Sequence, residues 1–415
     1  MSGFHPYFTN DGSVGLYNED FQDIYHSATG ALTEAYEKFI LPVNIENLLM
    51  NDSIKVLDIC YGIGYNSKSF LNFIFENYFL KIFQKKFPHA KSNIEAIHTN
   101  NIPLQNTNIY NGQIYTNNIF SKIYIKAIDN DKFLTFLSPF IKTGVKNFKN
   151  DKLDFEYKKI EKYLDNSAEN SNYKIQKIIN FLIFEKIVQK YPEIYENIEI
   201  NKVLCDKRYS KFFKTDITGI FKSYKSYVSN SHPIMHLPAL LHNIYYRNIS
   251  NCYKKRLKGY KLLDINFDLE INDARSVIKN DNNLYNLIFL DAFTPSKCPC
   301  LWSYEFFKLL YEHMEPDGML LTYSNSASVR SAMIEAGFHI GRGKYTGTIA
   351  VKNVDLIDLP FSEFDLGLFK TKAGIFYRDE NLTDQNEAII ERRNLEVKNS
   401  NRISSSEYKR TYNIK

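Results

Sequence analysis

Residues 286–302 read Asn-Leu-Ile-Phe-Leu-Asp-Ala-Phe-Thr-Pro-Ser-Lys-Cys-Pro-Cys-Leu-Trp. An apolar run, Leu287 to Leu290, stops at a carboxylate, Asp291, and a Pro-bearing turn leads to an aromatic-rich helix beginning near Trp302. A short apolar run bounded by turn signals suits a strand buried on both faces, as in parallel sheets. In an open α/β sheet, the carboxyl end of such a strand is where ligands bind. Asp291 there can accept a hydrogen bond from a nitrogen nucleophile. Phe293, Pro295 and the backbone carbonyls between them would wall it.

A second segment has the same form. Lys55-Val-Leu-Asp-Ile-Cys-Tyr-Gly-Ile-Gly-Tyr-Asn-Ser67 is a short apolar strand, an acid (Asp58), a turn with Gly62 and Gly64, and a helix start beside Asn66. Glycines in such a turn let the backbone approach a ligand closely. The spacing is not the G-x-G-x-x-G of dinucleotide enzymes. An acid four residues before G-x-G resembles the S-adenosylmethionine (SAM) loop of class I methyltransferases. Cys60 stands where that loop usually has its first glycine, so the loop should be slightly less open. With an acid at the other strand end, the pair points to amine methylation.

The chain has 415 residues, 44% hydrophobic and 24% charged, which is the balance of a globular protein. A net charge of +5 is compatible with a polyanionic partner. Five cysteines without a C-x-x-C motif argue for a reducing compartment and against a zinc knuckle. Met1-Ser-Gly-Phe-His-Pro lacks a basic-then-apolar signal pattern, and no apolar stretch approaches membrane-spanning length. The expectation is a soluble, cytoplasmic chain.

Strand and helix patterns alternate from residue 52 onward, which predicts a doubly wound, mostly parallel sheet. A helix near 29–39 is closed by Pro42. Strands are expected at 54–59, 121–131, 286–291 and 319–323, an extra one at 94–98, and a final antiparallel hairpin over 338–351. Residues 141–235 read as a helical insertion whose apolar stripe (Ile175, Ile178, Ile179, Leu182, Ile183) faces the core. The expected organisation is an N-terminal lid segment (1–50), an α/β core (51–352, insertion about 141–235) and a polar basic tail (353–415).

Several segments in order resemble one family, the methyltransferase half of MnmC and its short relatives that lack the flavin domain. They are Phe21-Gln-Asp-Ile-Tyr-His-Ser27 with Gly30 and Glu34; Cys60–Asn66; Asp273-Ala-Arg275; Leu290–Lys297 with Trp302; and Thr322–Arg330 with Glu335–Phe338. The resemblance implies a Rossmann-like class I SAM-dependent methyltransferase. It would convert 5-aminomethyl-(2-thio)uridine at the tRNA wobble position to the methylaminomethyl form. It implies SAM as cofactor and the tRNA anticodon loop as partner. No FAD-binding glycine fingerprint follows the core, so the resemblance implies a separate partner enzyme or another route to the aminomethyl precursor.

On this reading Asp291 orients and deprotonates the amine. Asp129, with Asp131 as the alternative, accepts the ribose hydroxyls; Asp273 sits beside the adenine; Tyr25 and Glu34 close over the methionine end. Phe293, Pro295 and Trp302 wall the base, and Arg330 meets a phosphate or the uracil edge. Basic residues of the tail (Lys370, Lys372, Arg378, Arg392, Arg393, Arg410) could meet tRNA phosphates or form a solvated face. His232 and His236 have helical spacing, but Pro233 and Pro238 interrupt the helix a metal site would need. No metal is expected. The competing readings are a polyamine aminopropyltransferase-like enzyme and a non-catalytic SAM- or RNA-binding module.

Overall fold

The computed structural model describes residues 4–18, 23–24, 30–48, 51–74, 122–141, 171–195, 203–204, 206, 212 and 264–411. The chain begins with three short antiparallel strands: β1 (Phe4–Phe8), β2 (Val14–Asn18) and β3 (Asp23–Ile24). Helix α1 (Ala31–Ala35) follows and widens into a π-helical turn over Tyr36–Ile40. The strand expected at 94–98, Tyr25, His232 and His236 lie outside the described residues.

The core is a seven-stranded sheet. Its strands are β4 (Ser53–Ile59), β5 (Lys122–Asp129), β6 (Asp264–Ile271), β7 (Tyr285–Leu290), β8 (Met314–Thr322), β9 (His339–Arg342) and β10 (Thr348–Val351), in the order β6-β5-β4-β7-β8-β10-β9. β6, β5, β4, β7 and β8 run parallel, and β10 is antiparallel to both its neighbours. The expected parallel sheet and closing hairpin are therefore present. Glu315–Gly318 form an irregularity inside β8, where pairing moves from Tyr285↔Met314 to Leu287↔Met319.

Period-2 alternation divides the sheet's side chains between two apolar layers. Ile54, Val56, Leu287 and Phe289 join the layer that includes α1; Leu57, Ile59, Ile288 and Leu290 join the other. The first layer includes helix α2 over 65–74 and helix α3 (Lys132–Leu137). It is completed by α4 (Ser171–Lys190) of the insertion, which buries Ile179, Leu182, Ile183, Phe184 and Ile187. Helices α5 (Ala274–Lys279), α6 (Tyr304–Glu312) and α7 (Ala327–Glu335) cover the other face.

Residues 353–411, within the expected polar basic tail, are ordered. They form α8 (Glu363–Phe369), α9 (Asn386–Asn399) and α10 (Ser405–Thr411). Ile389 and Asp379 are completely buried. Asp379 accepts hydrogen bonds from Arg275 on α5 at 2.7 Å and from the amides of Thr383 and Asp384. Arg378 bonds to Glu305 of α6, Arg392 to Asp384, and Arg393 donates to the Ile375 carbonyl. Three of the tail's cations thus serve the fold. A hydropathy pattern misses this because buried ion pairs and arginine packing replace apolar burial.

Candidate active site

Strand order reverses between β4 and β7, so their carboxyl ends open a crevice, the place where open α/β sheets bind ligands. Both decisive segments end there. After β4 the chain turns through Cys60, Gly62 and Gly64, all at positive φ (64°, 55° and 82°). Cys60 holds its left-handed conformation because its amide and that of Tyr61 both donate to the Ile128 carbonyl of β5. A side chain on Gly64 would collide with the Tyr61 ring. A side chain on Gly62 would meet only the Cys60 carbonyl, at 3.9 Å, so the space above it is open.

Three carboxylates converge on this turn. Asp129, at the end of β5, accepts from the Gly62 amide at 2.6 Å and from the Asp131 amide at 2.7 Å. Burial, only partly offset by those amides, pushes its pKa up to about 6. Asp58 is completely buried, accepts from the Ser67 amide and hydroxyl, and keeps its second oxygen, Oδ1, without a partner. Burial, with the Asp129 charge adding, raises it to about 7. Asp291 is half-buried and accepts from Asn66 Nδ2 at 2.9 Å. Burial first, then the Glu34 charge, raises Asp291 to about 7, while Lys38 opposes them.

Lys38 and Glu34 are one helical turn apart on the α1 and π-helical segment and form an ion pair. The segment is docked by Phe39 against Phe289, two residues before Asp291. Its start is capped by Asp11, which accepts from Thr33 N and Oγ1, and Gly30 leaves room for that carboxylate. The Lys38 ammonium lies 5.5 Å from the centre of the Tyr323 ring. Tyr323 donates to the Ala292 carbonyl at 2.8 Å, and Trp302 Nε1 donates to the Phe293 carbonyl at 2.7 Å. The two rings meet edge to face. Together they fix the loop that follows Asp291.

Some expectations change. Trp302 is completely buried beneath the loop, so it supports Phe293 rather than walling a ligand. Phe293 and Pro295 remain half-buried on the loop itself. Asp131 caps α3 through the Phe133 and Leu134 amides, which leaves Asp129 as the acid at the loop. Asp273 caps α5 and grips Arg275; although partial burial pushes its carboxyl up, Arg275 holds it below the usual carboxylate range. Arg330 donates to Thr348, Asn325 and the Gly347 carbonyl and lies over the Phe361 ring, so its guanidinium serves the β9–β10 hairpin. Lys38 and Tyr323 are site residues that the sequence pattern does not single out. The i, i+4 spacing of Glu34 and Lys38 is the one visible hint.

The site is an anionic crevice in which Lys38 pairs with Glu34 and Lys68 donates to the Ile63 carbonyl of the glycine turn. Its orphaned Asp58 oxygen, open space over Gly62 and mutually strained carboxylates suit a ligand that brings positive charge and sugar hydroxyls. SAM, with a sulfonium, an ammonium and a ribose, fits that demand. Burial and the Asp129 and Asp291 charges hold the Cys60 thiol protonated, so it is no nucleophile here. Among the described residues, no group of His, Cys, Asp or Glu could hold a metal ion. Nor is any helix there long and apolar enough to cross a membrane.

Sheet order and glycine loop are those of the Rossmann-like α/β fold that class I, SAM-dependent methyltransferases share. Residues 236–350 match the family model described as S-adenosyl-L-methionine-dependent methyltransferase. An uncharacterized protein of Methanocaldococcus jannaschii is 35% identical over 134 residues, 31% of this chain and 38% of that one. The bifunctional tRNA 5-methylaminomethyl-2-thiouridine biosynthesis protein MnmC of Legionella pneumophila is 26% identical over 184 residues, 41% of this chain and 25% of its own length. The alignments thus span well under half of each relative. The crystal structure of MnmC2 from Aquifex aeolicus superposes with a TM-score of 0.50 at 19% identity, covering 96% of this chain and 87% of that one, a likeness of fold. These likenesses show the fold and, over residues 236–350, a match to the SAM-dependent methyltransferase model.

Proposed function

We propose that this chain transfers a methyl group from SAM to the primary amine of 5-aminomethyl-(2-thio)uridine at the wobble position of tRNA. The observation that carries the reading is Asp291, poised at the switch point between Asn66, Glu34 and Lys38. An alkylammonium has no free lone pair, so an amine must shed a proton before it attacks. A carboxylate with a proton affinity raised toward neutrality is suited to accept that proton.

SAM supplies the electrophilic methyl. Asp129 and the Gly62 amide would hold the sugar end, and Asp58 and Glu34 balance positive charge. Asn66 fixes the carboxylate plane of Asp291, so that the oxygen not bonded to Asn66 faces the amine. Phe293 and Pro295 would line the entry of a splayed-out base, as single-stranded loops present them. Much of the acceleration then comes from alignment. The likeness to the Legionella MnmC protein supports the choice of tRNA.

The test is single-turnover transfer of labelled methyl to tRNA carrying 5-aminomethyluridine. Asp291→Asn should slow transfer roughly 100- to 1000-fold, the cost of losing one preorganised polar catalytic group, with SAM affinity retained. Transfer at the wild-type rate by a SAM-binding Asp291→Asn variant would refute the assignment.

A further inference from the structure

The crevice is flanked by a cationic, aromatic hairpin tip that the chemistry at Asp291 does not use. Across the sheet, Leu290 pairs with Thr322, Thr322 with Thr348, and Thr348 with Arg342. The β9–β10 turn, Gly343-Lys344-Tyr345-Thr346-Gly347, therefore rises from the same edge as Asp291. Three strand spacings, about 14 Å, separate the two. Arg342 and Lys344 are exposed, and Tyr345 is 51% exposed with the Lys344 ammonium 6.0 Å from its ring centre. Among the described residues Arg342 and Lys344 form no ion pair; the acids of the neighbouring segment are Asp355, Asp358, Glu363 and Asp365.

The tip is built rigidly. Asn325 accepts from the Gly347 amide and donates to Thr346, and Arg330 holds Asn325 from below. Gly347, at φ 91°, sits so tightly on the Thr322 carbonyl that no side chain fits. A large exposed ring between cations, on a turn fixed from beneath, would lose little entropy on stacking with a flat partner. Base stacking beside phosphate neutralisation is how proteins hold single-stranded nucleic acid.

We propose that Arg342, Lys344 and Tyr345 form a docking surface for single-stranded RNA next to the nucleotide that enters the crevice. This rests on the reading of tRNA as substrate. Tyr345 stacks on a base of the loop, and Arg342 and Lys344 meet its phosphates.

The test is fluorescence anisotropy with a labelled anticodon stem-loop RNA, over a salt titration, beside calorimetry with SAM. The double variant Lys344→Ala/Tyr345→Ala should bind the RNA roughly tenfold more weakly or worse. Its salt slope should be shallower by about 0.7 for the lost phosphate contact, and its SAM affinity unchanged. Wild-type RNA affinity in that variant would overturn the proposal. So would a change of oligomeric state with RNA affinity unchanged, which would assign the tip to a second copy of the chain. Failure of the wild-type protein itself to bind the RNA would instead remove the tRNA reading, and the docking surface with it.

Discussion

At Asp291, burial and the Glu34 and Asp58 carboxylates favour the protonated form, while Asn66 and Lys38 favour the charged one. The charged form is the one that takes the amine proton, so the transfer rate should climb as pH rises through about 7. Lys38→Met removes the one described cation that opposes protonation. Its acidic limb should move to higher pH and turnover near pH 6.5 should drop severalfold; an unmoved pH–rate profile would show that Lys38 does not act on Asp291. Asp58 and Asp129 also have proton affinities raised above those of an unfolded chain. Their contribution to stability is therefore greatest at low pH and declines as pH rises from about 4 to the folded values of about 7 and 6. A cationic ligand favours the ionised forms. SAM binding near pH 6.5 should release protons, read by calorimetry in buffers of different ionisation enthalpy, and the absence of release would argue against an anionic crevice.

At the scale of elements, the glycine turn and the docked N-terminal helix carry the site. Gly64→Ala should destabilise the protein by roughly 1–3 kcal/mol, since a methyl group would meet the Tyr61 ring at a backbone conformation that L-residues rarely adopt. Chemical denaturation checks this, and an unchanged midpoint would mean that the turn can relax. β4, β5 and β7 were readable because each is largely apolar and carries a named acid at or just beyond its end, whereas β6 (Asp264-Ile-Asn-Phe-Asp-Leu-Glu-Ile271) alternates polar and apolar residues and was not singled out. Asp129 was readable for the same reason. Trp302 and Arg330 were misplaced because an aromatic or a cation beside a catalytic loop looks alike in sequence whether it touches the ligand or props up the backbone. Lys38 was hidden because its partners, Tyr323 and Asp291, lie more than 250 residues away along the chain.

At the scale of the whole molecule, residues 353–411 are tied to the sheet through a buried charge pair. Arg275 bridges Asp273 at the end of the third parallel strand and Asp379 in the C-terminal segment. Removing one partner of a buried pair leaves a charge without compensation. Asp379→Ala should therefore cost about 3–5 kcal/mol, seen as a lowered Tm in calorimetry. A loss below about 0.5 kcal/mol, the range of ordinary surface substitutions, would mean that the segment is held by its apolar contacts alone. Composition conceals this coupling: the segment looks like a solvated basic tail because its packing is done by arginines, and only their partners reveal it.

Everything turns on which atom receives the methyl group. The most direct measurement is mass spectrometry of nucleosides from tRNA bearing 5-aminomethyluridine after incubation with the protein and isotopically labelled SAM. The account predicts one labelled methyl per wobble nucleoside, retained on the side-chain nitrogen in the fragment spectrum. A label on the ribose, on a ring atom or on another nucleoside, or no label despite SAM binding, would contradict it.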